Sequence, residues 1–160
     1  MLNAGLELVE PTNWANVIGR LSLAVVVGGV VGFEREVERK PAGFRTHMLV
    51  SLGSALFVLI GIQTGIVQAE PDTLSRIIQG LVAGIGFVGA GEIFSTTRVK
   101  TSSGSASERV QIQGLTSAAA IWVSAALGTA AGCGLWFISL IGAVATVLIL
   151  WAAKKLESGV

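Results

Sequence analysis

Two glutamates, four arginines and one histidine stand in, or at the edges of, stretches that are otherwise apolar. Glu34 and Arg35 close the first stretch, and Arg45, Thr46 and His47 open the second. Glu92 lies within the end of the third, and Thr116 and Ser117 begin the fourth. Carboxylates, hydroxyls and basic groups in this arrangement can do one of two things. They can form an ion-pair network in which Glu34 and Glu92 accept hydrogen bonds from Arg35, Arg45 or His47 and fix helix ends. Or they can leave charge uncompensated and hold a hydrated cation or an anion. A hard cation such as magnesium takes oxygen ligands and keeps several waters, so Glu34 and Glu92 with neighbouring hydroxyls would serve as its metal ligands.

Arg20 and Arg76 sit near the opposite ends of the first and third stretches. Either can extend its guanidinium toward headgroups while its stem stays in apolar surroundings, and Arg76, at the very start of its stretch, suits this well. Arg20 lies about two helical turns deep, where a backbone carbonyl or an acidic side chain inside the protein is an equal alternative.

The elements that must position these groups follow from hydropathy. Apolar runs cover 14–33, 46–66, 76–94, 114–131 and 134–152. Each has the length, about 18–21 residues, that a helix needs to cross a bilayer core ~30 Å thick. The chain is 52% hydrophobic and 13% charged, with a mean hydropathy of +0.74, unlike a soluble domain. The expected fold is therefore all-α: one transmembrane domain over residues 1–160, a compact bundle of five helices.

Charge sets the expected orientation. Arg35, Arg39, Lys40 and Arg45 fall between the first two runs, Arg98, Lys100 and Arg109 between the third and fourth, and Lys154 and Lys155 after the fifth. Glu7, Glu10, Glu70 and Asp72 occupy the other connections. Basic loops remain cytoplasmic, so the N-terminus is expected outside and the C-terminus inside. The first run lacks a basic n-region and is read as a retained span rather than a signal peptide. Trp14, Trp136 and Trp151 fall where an aromatic belt would put them, and Trp122 is expected in the core.

Gly28 and Gly32, Gly80 and Gly84, and Gly128 and Gly132 each lie four residues apart on one helix face. Such faces let helix backbones approach closely in lipid, within a bundle, along a crevice or between subunits. A faint parallel repeat relates Arg20, Gly28, Gly32, Phe33 and Glu34 to Arg76, Gly84, Gly86, Phe87 and Glu92. It would set the two arginines at one level and the two glutamates at another. Residues 34–45 read as a short charged loop broken by Pro41 and Gly43, and the Ser/Thr-rich 95–107 as a flexible connection.

Several classes find no support. The lone Cys133 makes neither a disulfide within the chain nor a cysteine-rich metal site. His47 has no obvious nucleophile partner and no phosphate-cradling or zinc-binding spacing occurs, so no enzyme is expected. The basic residues follow topology rather than forming a patch, which argues against nucleic acid.

Four ordered blocks carry a family resemblance: GGVVGFERE at 28–36, KPAGFRTHMLVSLGSALF at 40–57, RIIQGLVAGIGFVGAGEI at 76–93 and GLTSAAAIWVSAALG at 114–128. Together they resemble the MgtC/SapB family over roughly residues 17–152. The resemblance implies a multi-pass protein of the bacterial inner membrane tied to magnesium homeostasis and adaptation to magnesium limitation and, in some pathogens, to virulence and survival in macrophages. It implies action by regulating other membrane proteins, the ATP synthase among them. Ion transport by an oligomer, of magnesium or another cation, is the alternative. The expected partners are membrane lipid and either further copies of the chain or another membrane protein. By motif position the resemblance flags Arg45, Thr46, Arg76, Gly84, Gly89, Gly91 and Thr116. Well-known members continue into a soluble cytoplasmic domain, whereas this sequence ends at Val160. Gln79 lies three residues after Arg76 where members have a Gln at four, Ser117 stands for a Thr, and Glu92 replaces an apolar or hydroxyl residue.

Overall fold

A computed structural model describes residues 13–70, 72–95 and 113–157. In a bilayer core every backbone N–H and C=O must be satisfied within the protein, and a helix does this within one segment. The described residues accordingly form six helices and no strand: α1 (Trp14–Val37), α2 (Phe44–Gln63), α3 (Ile66–Ala69), α4 (Thr73–Ser95), α5 (Leu115–Gly132) and α6 (Trp136–Glu157). All but α3 are long and apolar enough to span a membrane.

The ends of the helices have local causes. The Asn13 side chain caps α1 by accepting from the Asn16 N–H at 3.2 Å. Beyond Gln63, Gly65 at φ 76° turns the chain into α3, so the expected second span splits, and Gln68 Nε2 ties the short helix back to Ile62 O at 3.1 Å. Helix α1 runs four residues past the apolar run, and Arg35 in its last turn is only 3% exposed, while Glu36 and Val37 face outward. It stops at Arg39, whose φ of 52° is the left-handed conformation that ends helices. The two basic segments in the described residues, 34–45 and the end of α6, lie at the same end of the bundle, here called the basic end. The 95–107 connection, with Arg98 and Lys100, falls largely outside the described residues, as do Arg109, Glu7 and Glu10.

The centre of the bundle is a three-helix contact of α1, α2 and α5, with α6 against α1 and α5, and α4 against α5 and α2. Glycine permits it. A Cβ on Gly28 would lie 2.6 Å from His47 O, and one on Gly32 would lie 2.8 Å from Phe44 Cα, so α2 sits on the backbone of α1. On α5, a Cβ at Gly128 would come 2.0 Å from Ser51 O, and one at Gly132 would come 2.9 Å from Ala55 O. Hydroxyls stitch neighbouring helices: Ser51 Oγ of α2 donates to Ala24 O of α1 at 2.7 Å, and Ser139 Oγ of α6 to Leu127 O of α5 at 3.0 Å.

Helix α4 is different. In its most apolar window 6% of residues are buried, against 44% in α1 and 56% in α5. Gly80, Gly84, Gly86 and Gly91 have open space where a Cβ would project, and Gly89 makes only an ordinary contact, 3.6 Å to Ala118 Cβ. The glycine pairs of α1 and α5 thus meet neighbouring helices inside the bundle, whereas those of α4 do not. Trp122, expected in the core, is 48% exposed on the α4 side of α5, because α4 leaves a cleft of about 270 Å³ there instead of closing over the ring.

Candidate functional site

At the basic end, Glu34 and Arg35 are neighbours on the last turns of α1. Arg35 Nη2 donates to Glu34 Oε1 at 2.7 Å, and Arg35 Nε pairs with Oε2. With side chains 4% and 17% exposed, the pair is largely withdrawn from solvent. Paired in this way, the charges can be buried without an isolated ion. Glu36, which residue type alone did not single out, reaches over Gly43 and accepts from the Phe44 N–H at 3.1 Å. A carboxylate at a helix N-terminus is favoured by the unpaired N–H groups there. A Cβ at Gly43 would lie 2.0 Å from that oxygen, so any other residue there would push Glu36 off the Phe44 N–H.

His47 is fully buried one turn into α2. Its Nδ1 lies 2.9 Å from Gly43 O, and Arg35, Glu34 and Glu92 all lie close enough to act on its charge. The structure thereby brings Glu34, Arg35, His47 and Glu92 into one electrostatic neighbourhood. Glu92 is half-buried on α4, and Ser117 is buried at the start of α5. Arg45 and Thr116 are exposed, and Thr46 is half-buried. Among the described residues no three His, Cys, Asp or Glu side chains converge as a metal-binding group.

Beside this cluster, a groove of about 940 Å³ runs between α1 and α6, walled by side chains such as Val30, Phe33 and Trp151 and ending at Glu38, Lys154 and Lys155. Lys154 Nζ donates to Glu38 Oε1 at 2.6 Å, fastening the end of α6 to the end of α1. That hydrogen bond holds the Glu38 carboxyl below its usual range. Lys155 Nζ stands 5.5 Å from the centre of the Trp151 ring, a cation–π distance.

At the far end the two arginines part company. Arg20 is 2% exposed; its Nε donates to Asn16 Oδ1 at 2.7 Å and its Nη1 to Gly132 O at 2.9 Å. Gly132 is the last residue of α5, so the guanidinium caps carbonyls at a helix end, where the dipole also favours positive charge. The turn above it needs Gly134 at φ 79°, and a Cβ there would strike the guanidinium carbon at 2.7 Å. Arg76, by contrast, is 67% exposed with Glu70 3.9 Å away. The proposed repeat therefore does not extend to surroundings: α1 carries a sealed arginine and α4 an open one.

Cys133 adjoins Arg20 beneath the same turn, and burial pushes its thiol above the usual range. The reactive species is the thiolate. At pH 8 a maleimide should therefore label the folded protein far more slowly than the denatured chain; equal rates would contradict this packing.

The sequence relationships bear on this geometry. The model of the MgtC family matches residues 21–158, which takes in most of the first span, the other four spans and the basic-end cluster. The chain belongs to the MgtC family. Among relatives, it is 45% identical to Protein SrpB of Synechococcus elongatus over 91% of this chain and 79% of that one. It is 38% identical to YhiD of Escherichia coli K12, whose full name is "Putative magnesium transporter YhiD", over 85% of this chain and 60% of that one. It is 39% identical to Protein MgtC of Brucella abortus, over 81% of this chain and 47% of that one. The chain thus spans about half to four-fifths of the length of these MgtC relatives. No solved structure gives a significant match. MgtC family membership and five apolar helices make this a multi-pass membrane protein.

Proposed function

We propose that this MgtC-family protein serves magnesium homeostasis in the bacterial inner membrane by docking against a transmembrane helix of another membrane protein and altering that partner's activity. The observation that carries this reading is the open face of α4. Gly80 and Gly84 floor a groove of about 670 Å³ between α2 and α4, walled by Phe57, Ile60, Leu81 and Ile85. In lipid, where apolar burial gives little drive, close backbone approach over small residues is a main source of helix association. Apart from Thr64, Thr73 and Arg76 at one end, the lining is apolar, which suits an apolar helix as occupant. The printed name of the YhiD relative supplies the link to magnesium. Charge supports the orientation: with Arg35, Arg39, Lys40, Arg45, Lys154 and Lys155 at one end, that end faces the cytoplasm. No chemical step is assigned to the protein.

Gly84→Leu tests the reading. It fills the groove floor without touching the three-helix contact, so the thermal unfolding midpoint should be unchanged while growth support at limiting magnesium is lost. Retained growth support would overturn docking through α4, and cross-linking through this face to a second copy alone would make the occupant another subunit. Transport is the competing reading, favoured by the placement of Glu92 near His47. Saturable magnesium flux into proteoliposomes, lost in Glu92→Gln, would replace regulation with transport.

A further inference from the structure

Two fully buried polar groups inside the bundle have no hydrogen-bond partner among the described residues: His47 Nε2 and Ser124 Oγ. The packing register brings them to one level. Gly128 of α5 meets Ser51 of α2, and Gly132 meets Ala55, so the two helices run in the same direction in step. One turn back along each, Gly128 leads to Ser124 and Ser51 leads to His47.

Ser124 has an easy alternative that it does not use. Ser54, Thr129 and Thr146 each donate to the carbonyl four residues earlier, at 2.9, 2.9 and 2.7 Å. This back-bond is open to any hydroxyl in a helix. The Ser124 hydroxyl is turned elsewhere, although leaving a buried polar group unmet costs about 1–3 kcal/mol. For His47, the partner of Nδ1 is a carbonyl, which can only accept, so Nδ1 carries the proton. In the neutral ring Nε2 then presents a lone pair. An acceptor nitrogen and a donor hydroxyl on facing turns match a small molecule able to give and take hydrogen bonds. A metal ion matches less well, because one nitrogen and one neutral hydroxyl are a poor set for a hard cation.

We propose that His47 and Ser124 bind one internal water molecule, which donates to Nε2 and accepts from Ser124 Oγ, joining α2 to α5 inside the membrane. Buried waters commonly satisfy polar groups left over by protein packing. Arg35 and Glu34 of α1 and Glu92 of α4 are the charged groups that act on this imidazole, so the water lies next to the basic-end cluster.

The chain contains a single histidine, so ¹⁵N-histidine labelling reports on this site alone. Solid-state NMR of the full chain in lipid bilayers is expected to show a neutral ring protonated at Nδ1, an Nε2 resonance displaced by hydrogen bonding, and magnetisation arriving at the ring from water. Ser124→Ala should shift the Nε2 resonance and weaken the water transfer, and Ser124→Thr, which keeps the hydroxyl, should restore both. A ring protonated at Nε2, no transfer from water in the unaltered protein, or spectra that Ser124→Ala leaves unmoved would each overturn the proposal. If Ser124→Ala fails to fold, the Ser124→Thr spectrum and the unaltered protein's tautomer and water transfer still decide it.

Discussion

Gly128→Ala should cost the protein at least about 3 kcal/mol, the upper end of what overpacking a core usually takes. The added methyl would lie 2.0 Å from Ser51 O, 2.6 Å from its carbonyl carbon and 2.7 Å from its Cα. All three are backbone atoms in the middle of a helix, so no side-chain rotation relieves the clash. Helices α2 and α5 must separate, which also loosens the contact of Gly132 with Ala55 and the seat of Ser51 on α1. The better helix propensity of alanine returns only about 1 kcal/mol. Thermal unfolding in detergent should show a large drop in midpoint for this variant. The same change at Gly80, where a Cβ meets nothing within 4 Å, should leave the midpoint unchanged or slightly raised. Equal behaviour of the two would mean that α2 and α5 do not meet as described.

Arg20→Met has the next largest expected effect, about 3 kcal/mol. Methionine replaces much of the aliphatic stem and adapts to irregular space. It cannot replace the hydrogen bonds to Gly132 O and Asn16 Oδ1, and bonds made by charged groups are worth about 1.5–3 kcal/mol. The last turn of α5 and the α5–α6 connection should loosen first, which hydrogen exchange at Cys133 and Gly134 would report before global unfolding. Arg76→Met, on an exposed side chain, should change stability little. If both arginines tolerate the change equally, the cap on α5 is absent.

The five spans were legible because hydropathy and charge act over whole segments, and the helix ends fall within a few residues of the apolar runs. Glu34, Arg35, His47 and Glu92 were legible as neighbours because topology alone puts their segments at one end. The difference between α1 and α4 was not. Both carry an arginine near one end, glycines four apart and a glutamate near the other. What separates them is the partner each face finds: Gly28 and Gly32 meet α2, whereas Gly80 and Gly84 meet nothing in the bundle. Pairwise packing of this kind leaves no mark in a single helix's sequence. Likewise Arg20 is sealed because the α5–α6 turn closes over it with Gly134, a residue more than a hundred positions away. Glu36 could have been noticed from its position ahead of a Pro-Ala-Gly-Phe segment, since a carboxylate close before a helix start is a natural cap. Ser124 gave no signal, because a serine in an alanine-rich helix ordinarily bonds its own backbone.

The division into a tight trio and a loosely held α4 has a consequence for biosynthesis. The chain emerges in the order α1, α2, α4, α5, so the paired hairpin of α1 and α2 is complete before α4 is made. Yet α4 packs mainly on α5, which follows it. During synthesis α4 has only α2 and α3 to rest on until α5 slots against Ser51 and Ala55 and offers Ala118 to Gly89. That interval leaves the glycine face of α4 in lipid before the rest of the protein has finished folding.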